Sequence, residues 1–153
     1  MFEQKGGAVI GLAGIGKSRM ITTAIRKYEL AVQATGGRQF GYRIVSAVVL
    51  GQASVKDTCC AILEKIGYPA NSTRSEHYLI NCVSEQLQHH RIAAIHLDEV
   101  QGAGRHATTT AKSNFAKRFR NLMQNAPWPV CLILSSTLEG KDFSITTSPR
   151  PNA

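Results

Sequence analysis

Two short runs in this chain of 153 residues carry the residue types that phosphate chemistry needs. The first is GLAGIGKSR, Gly11 to Arg19, which fits the pattern G-x-x-x-x-G-K-[ST]. A polyphosphate needs many donors at short range, and large side chains would crowd it. Gly11, Gly14 and Gly16 let the backbone curl so that its N–H groups face the phosphates. Leu12, Ala13 and Ile15 add their backbone to the same cradle. A helix opening at Lys17 would turn its positive dipole end toward it. Lys17 would reach the β- and γ-phosphates, the Ser18 hydroxyl would ligate Mg²⁺, and Arg19 completes the candidate nucleotide site. A Gly-rich turn could match the pattern by accident. The context argues otherwise: an apolar run, Ala8 to Leu12, precedes the loop and a helical pattern follows it.

The second run is IAAIHLDEVQ, an apolar strand pattern ending in two acids. Asp98 there can hold Mg²⁺ through water, and Glu99 can orient or deprotonate an attacking water. A pair of acids after a strand is a weak signal alone, since acids also cap the next element. Downstream of GLAGIGKS, with strands and helices between, it is the Walker B pattern of hydrolysing P-loop ATPases. His96 alternates into the strand and reads as a packed histidine, not a ligand. A third run, LILSST, offers Ser135, Ser136 and Thr137 for contact with a γ-phosphate or an attacking water. A plain Ser/Thr strand-end turn explains each of them equally well.

These runs must be held by regular elements. KSRMITTAIRKYELAVQA, Lys17 to Ala34, has helical spacing and ends near Gly36-Gly37. YRIVSAVVLG, Tyr42 to Gly51, reads as a buried strand. Ser54 reads as the N-cap of a helix, with Asp57 as capping partner, Gly67 closing it and Pro69 beyond. Ser72 or Ser75 opens the next helix, with Leu79, Ile80, Val83 and Leu87 on one stripe. Ile92 to Leu97 is a third strand, AKSNFAKRFRNLMQN an amphipathic helix, and Val130 to Leu134 a fourth strand. Strands alternating with helices predict an α/β fold: a P-loop NTPase of three layers, α/β/α, with a mostly parallel sheet. Ligands in such sheets bind beyond the carboxyl ends of the strands, where both chemical runs fall. Residues 1–139 form the expected nucleotide-binding core, and 140–153 a loose or divergent tail.

Composition narrows the classes. An apolar share of 43% indicates a globular chain rather than a disordered one. The net charge of +8 fits an acidic partner such as DNA or a nucleotide, although a basic surface kept for solubility gives the same number. Arg105, His106, Lys112, Lys117, Arg118 and Arg120 surround the helix after Asp98. They suit a solvated face or a sequence-independent contact with a phosphate backbone. One of these arginines acting on a neighbour's nucleotide is a further option. Cys59, Cys60, Cys82 and Cys131 sit in apolar contexts and form no C-x-x-C pair, which reads as buried free thiols. No apolar run is long enough for a membrane helix, and MFEQKGG lacks a signal-peptide core, so a cytoplasmic location is expected.

Together the residues resemble the AAA+ ATPases, and more narrowly the TniB-type transposition helper ATPases. The narrower likeness rests on GLAGIGKS, LEKIGYP, HLDEVQ and FRNLMQNAPWPVCLILSST, and spans roughly residues 7–139. It implies an ATP-dependent regulator that assembles on DNA as a homo-oligomer and hands a target site to a transposase. It implies Walker A roles for Gly11, Gly16, Lys17 and Ser18, and Walker B roles for Asp98 and Glu99. It puts Ser136 or Thr137 at the sensor-1 position. The family usually adds a segment before the P-loop and, after sensor 1, a helical lid. This sequence starts almost at the first strand and closes on SITTSPRPNA, so the expectation is a core truncated at both ends and lacking the lid. The alternative function is therefore an inactive remnant that binds nucleotide or a partner. A small-molecule kinase is a third option; Glu99 and the lack of an arginine-rich lid speak against it.

Overall fold

A computed structural model of the protein describes residues 7–36, 43–101, 108–124 and 127–137. The described elements run β1 (Gly7–Ile10), α1 (Lys17–Ala34), β2 (Arg43–Val48), α2 (Val55–Ile66), α3 (Glu76–His89), β3 (Ile92–Asp98), α4 (Thr109–Met123) and β4 (Cys131–Ser136). The strands form one sheet in the order β1-β4-β3-β2, and every pair is parallel. This is the expected α/β architecture. The expected tail from residue 140 lies outside the described residues, as do Gly37, Arg105 and His106.

Local chemistry sets the element ends. The Ser54 hydroxyl accepts from Asp57 N at 3.2 Å while Ser54 N donates to Asp57 Oδ2 at 2.9 Å, a reciprocal capping box that opens α2. Gly67, with φ of 91°, closes the same helix in a conformation that disfavours residues with a Cβ. Ser75, not Ser72, caps α3 by accepting from Tyr78 N at 3.2 Å. β1 ends at Ile10, short of Leu12, because Gly11 already turns into the loop, its N–H bonded to Ser136 O at 3.2 Å. β4 runs on to Ser136, beyond the expected Leu134, because Val9 and Ile10 pair with Ser135 and Ser136. Backbone pairing does not discriminate against hydroxyl side chains.

The two faces of the sheet are dressed differently. On one face α2, α3 and α4 pack a closed core in which Ile62, Leu63, Leu79 and Phe119 meet Val45, Ile95, Leu97 and Leu132. Burying one such aliphatic side chain contributes about 1.5–3 kcal/mol. Trp128 closes the lower end, its Nε1 donating to Ile92 O at 2.8 Å. On α1 the one buried residue is Ile21, while Met20 and Leu30 stay more than half exposed.

β3 changes phase near its start. Arg43 pairs with Ile92 but Ile44 pairs with Ala94, so Ala93 is an extra residue. Ile92 and Ile95, three apart, both reach the core as a result. In an unbroken pleat they would point to opposite faces. The shift sends Ala94, His96 and Asp98 to the face shared with α1.

The capping box titrates. Hydrogen bonds from the Ser54 hydroxyl and backbone hold the Asp57 carboxyl below its ordinary 3.8. A depressed folded pKa stabilises fully above pH 3.8, and that stability is lost as pH falls through the folded value. Ser54→Ala should therefore cost about 1 kcal/mol in urea denaturation at pH 7. The gap to the parent protein should narrow below about pH 4, where protonated Asp57 no longer accepts these bonds fully.

Candidate functional site

The carboxyl ends of the four strands lie side by side. Ile10 is in register with Ser136, Leu97 with Leu134, and Val48 with Asp98. Gly11 N to Ser136 O and Val49 N to Asp98 O (2.8 Å) tie the departing loops to neighbouring strands. The loop after β1 and the acids after β3 therefore share one edge, as the motif spacing predicts.

Gly14 and Gly16 have φ of 78° and 83°, and a Cβ at either would meet open space. The cradle thus depends on backbone conformation there and not on a lack of room. Gly16 caps α1 without any side-chain hydrogen bond, which leaves the first N–H groups of the helix without a side-chain acceptor. Leu12, Ala13, Ile15, Ser18 and Arg19 are exposed around this turn. Lys17 Nζ folds back to donate to Gly11 O at 2.9 Å and Leu12 O at 2.6 Å. An ammonium has three N–H groups, so one remains to point into the cradle.

Asp98 is 8% exposed. Its Oδ1 accepts from Ser135 Oγ at 2.5 Å and from Glu99 N at 2.9 Å, and the Ser18 hydroxyl stands near enough to its carboxylate to favour the ionised form. Burial pushes its pKa up, but the bonds from Ser135 and Glu99 N, with the Ser18 hydroxyl and His96 beside it, outweigh that and hold it below 3.8. It is ionised at neutral pH. Glu99 is exposed and has a φ of 59°, an uncommon left-handed conformation for a residue with a long side chain. Its Oε2 accepts from Gln101 Nε2, and Gln101 Oε1 accepts from Thr137 N at 3.2 Å. Gln101 thereby links Glu99 to the end of β4, a role that its type alone did not signal.

The three hydroxyls at the end of β4 separate. Ser135 bonds Asp98, and Ser136 Oγ donates to Thr137 O at 2.8 Å. Thr137 Oγ1 is buried with no hydrogen-bond partner among the described residues. A buried unpaired hydroxyl is costly and marks a place for a further acceptor or donor. His96 is fully buried, bonded to Ser46 Oγ and Ser135 Oγ at 2.8 Å each. Burial lowers its pKa below 6.5, against the pull of Asp98. It is packed, as expected, but its ring is also wired into the site. Lys117, Arg118 and Arg120 on α4 are exposed, and Arg118 Nε pairs with Glu76 Oε1 at 2.9 Å. The side chain of Lys112 lies outside the described residues.

The AAA domain family matches residues 1–141. The chain belongs to that family. Its parallel sheet and flanking helices are the P-loop NTPase core of that family. Its fold is similar to the ORC2 protein of Aeropyrum pernix in two solved structures. For the ADPNP-ADP complexes the TM-score is 0.66 at 14% identity, covering 86% of this chain and 35% of that one. For the ADP form the TM-score is 0.58 at 15% identity, covering 92% and 37%. At such identity the likeness concerns the fold, and this chain spans about a third of the length of those structures. No curated protein matches the chain.

The residues of this AAA domain suit a nucleotide with its metal. The donors beside the cradle, Ser18 and Asp98, are hard oxygens, the type Mg²⁺ takes together with phosphate oxygens and water. No cluster of three or more His, Cys, Asp or Glu that could hold a metal by itself occurs among the described residues. Thr137 Oγ1 lacks a partner at the same edge among the described residues. The four cysteines are free thiols, but only Cys59 and Cys82 are buried as expected, Cys60 and Cys131 being half-buried; burial pushes Cys59 up to about 12. No described helix is long and apolar enough to cross a membrane.

Gly16→Ala forces a Cβ into the left-handed conformation, which costs about 1–2 kcal/mol. Chemical denaturation should show that loss, with little change in the far-ultraviolet spectrum.

Proposed function

We propose that this AAA domain binds ATP with Mg²⁺ and hydrolyses it to ADP and phosphate. The reading rests on one observation: Lys17, the Ser18–Asp98 pair, Glu99 and the unpaired Thr137 hydroxyl converge on one sheet edge. The loop backbone and Lys17 bind and orient the polyphosphate. Ser18 and Asp98 would hold the metal, which supplies charge neutralisation on the phosphate oxygens. Glu99 orients a water for in-line attack on the γ-phosphorus and takes its proton, while the bond to the leaving ADP oxygen breaks. Thr137 donates to a γ-phosphate oxygen or to that water, with Ser136 beside it shaping the turn.

The finer reading is a regulator of DNA transposition that works with a transposase as a homo-oligomer. It is supported by the sequence resemblance around HLDEVQ and FRNLMQNAPWPVCLILSST, and by the net charge of +8. Exposed Lys117 and Arg120 on α4 suit phosphate-backbone contacts that do not read sequence.

Purified protein should bind a fluorescent ATP analogue, and Lys17→Ala should weaken that binding at least tenfold. Glu99→Gln should keep binding and lose about 100-fold or more in turnover. Unchanged binding by Lys17→Ala sinks the nucleotide site. Binding without any turnover, alone or with duplex DNA, favours the inactive remnant. DNA affinity, if present, should fall steeply between 50 and 200 mM salt, by roughly tenfold or more.

A further inference from the structure

Three polar side chains on three adjacent strands line up across the α1 face of the sheet. Ser46 on β2 is in register with His96 on β3, and Ser135 lies on β4. Ser46 Oγ is 2.8 Å from His96 Nδ1, His96 Nε2 is 2.8 Å from Ser135 Oγ, and Ser135 Oγ is 2.5 Å from Asp98 Oδ1. Counting protons fixes the direction of the two bonds at Ser135. An ionised carboxylate only accepts, so the single Ser135 proton goes to Asp98. Ser135 then has only lone pairs to offer His96, so Nε2 must carry the proton. In a neutral ring Nδ1 is then bare and accepts from Ser46. The chain runs one way, from Ser46 through His96 and Ser135 to Asp98.

We infer that His96 is a positioning residue for the metal-holding carboxylate, acting through Ser135. Its Nε2–H pins the Ser135 oxygen, and the pinned hydroxyl fixes Asp98 Oδ1. With Oδ1 occupied by Ser135 and by Glu99 N, the other oxygen is the one left for the side on which Ser18 and the phosphates meet. His96 touches neither substrate nor metal. An apolar side chain in its place would leave Ser135 free to rotate and Asp98 free to turn with it. The inference rests on the nucleotide reading above and adds a residue to it.

Two measurements test it. The first needs no nucleotide: the ¹⁵N-edited spectrum of His96 should show protonated Nε2 and bare Nδ1 at neutral pH. The opposite tautomer overturns the chain. The second compares the affinity of a fluorescent ATP analogue in Mg²⁺ with that in EDTA. His96→Leu should leave affinity in EDTA within about twofold and shrink the gain from Mg²⁺ by about three- to tenfold. His96→Gln, whose amide can donate to Ser135, should recover most of that gain. Ser46→Ala should lower it in the same direction and more weakly, and it tests the chain if His96→Leu does not fold. Folded variants with the parent's Mg²⁺ gain overturn the inference and leave the nucleotide reading intact. A parent protein that binds no nucleotide overturns both.

Discussion

The site depends on which face of the sheet Asp98 takes, and a single extra residue decides it. With strict alternation from Ile92, both His96 and Asp98 would point into the closed core beneath α2 and α3. A buried unpaired carboxylate there would cost several kcal/mol. Ala93 absorbs one step of the register, so Ile92, Ile95 and Leu97 keep the core while the polar residues cross to α1. The acidic side of the site follows from that crossing. Ser18 can reach Asp98, Ser135 can approach from β4, and the acids open beside the loop after β1.

Much of this was legible in the sequence because it is local. GLAGIGKS states its own backbone geometry through its glycines, and Gly14 and Gly16 are left-handed. Ser54 and Asp57 announce a helix start three residues apart, and the capping box is there. Asp98 and Glu99 end an apolar strand at the place where parallel sheets bind ligands. The division of labour among Ser135, Ser136 and Thr137 was not legible. Adjacent residues on a strand point to opposite faces, and which face meets Asp98 depends on the register with β3. The same holds for His96 and Gln101. Their partners, Ser46 and Thr137, lie far away in the chain and become neighbours only through strand pairing and loop closure.

The two halves of the molecule differ in how firmly they are held. α2, α3 and α4 share a continuous apolar core with the sheet, whereas α1 buries one side chain, Ile21. Yet α1 carries Lys17 and Ser18. Segments with few buried apolar contacts open at lower cost than the core does. The residues proposed to contact the nucleotide therefore sit on the more yielding half, while Asp98 is held on the central strands.

The strand order also sets a timetable for synthesis. β1 is made before the other described strands, but its partner is β4, with Gly7 opposite Ile133. At roughly 5–20 residues per second, that partner leaves the ribosome on the order of ten seconds later. Until then the first strand has no neighbour in the sheet, and the glycine loop behind it cannot be tied to Ser136. β2, α2, α3 and β3, by contrast, form a contiguous stretch that can assemble while the chain is still growing. The growing chain gains its scaffold before the glycine loop is tied in, and β1, made ahead of the other described strands, is among the last to take its final place.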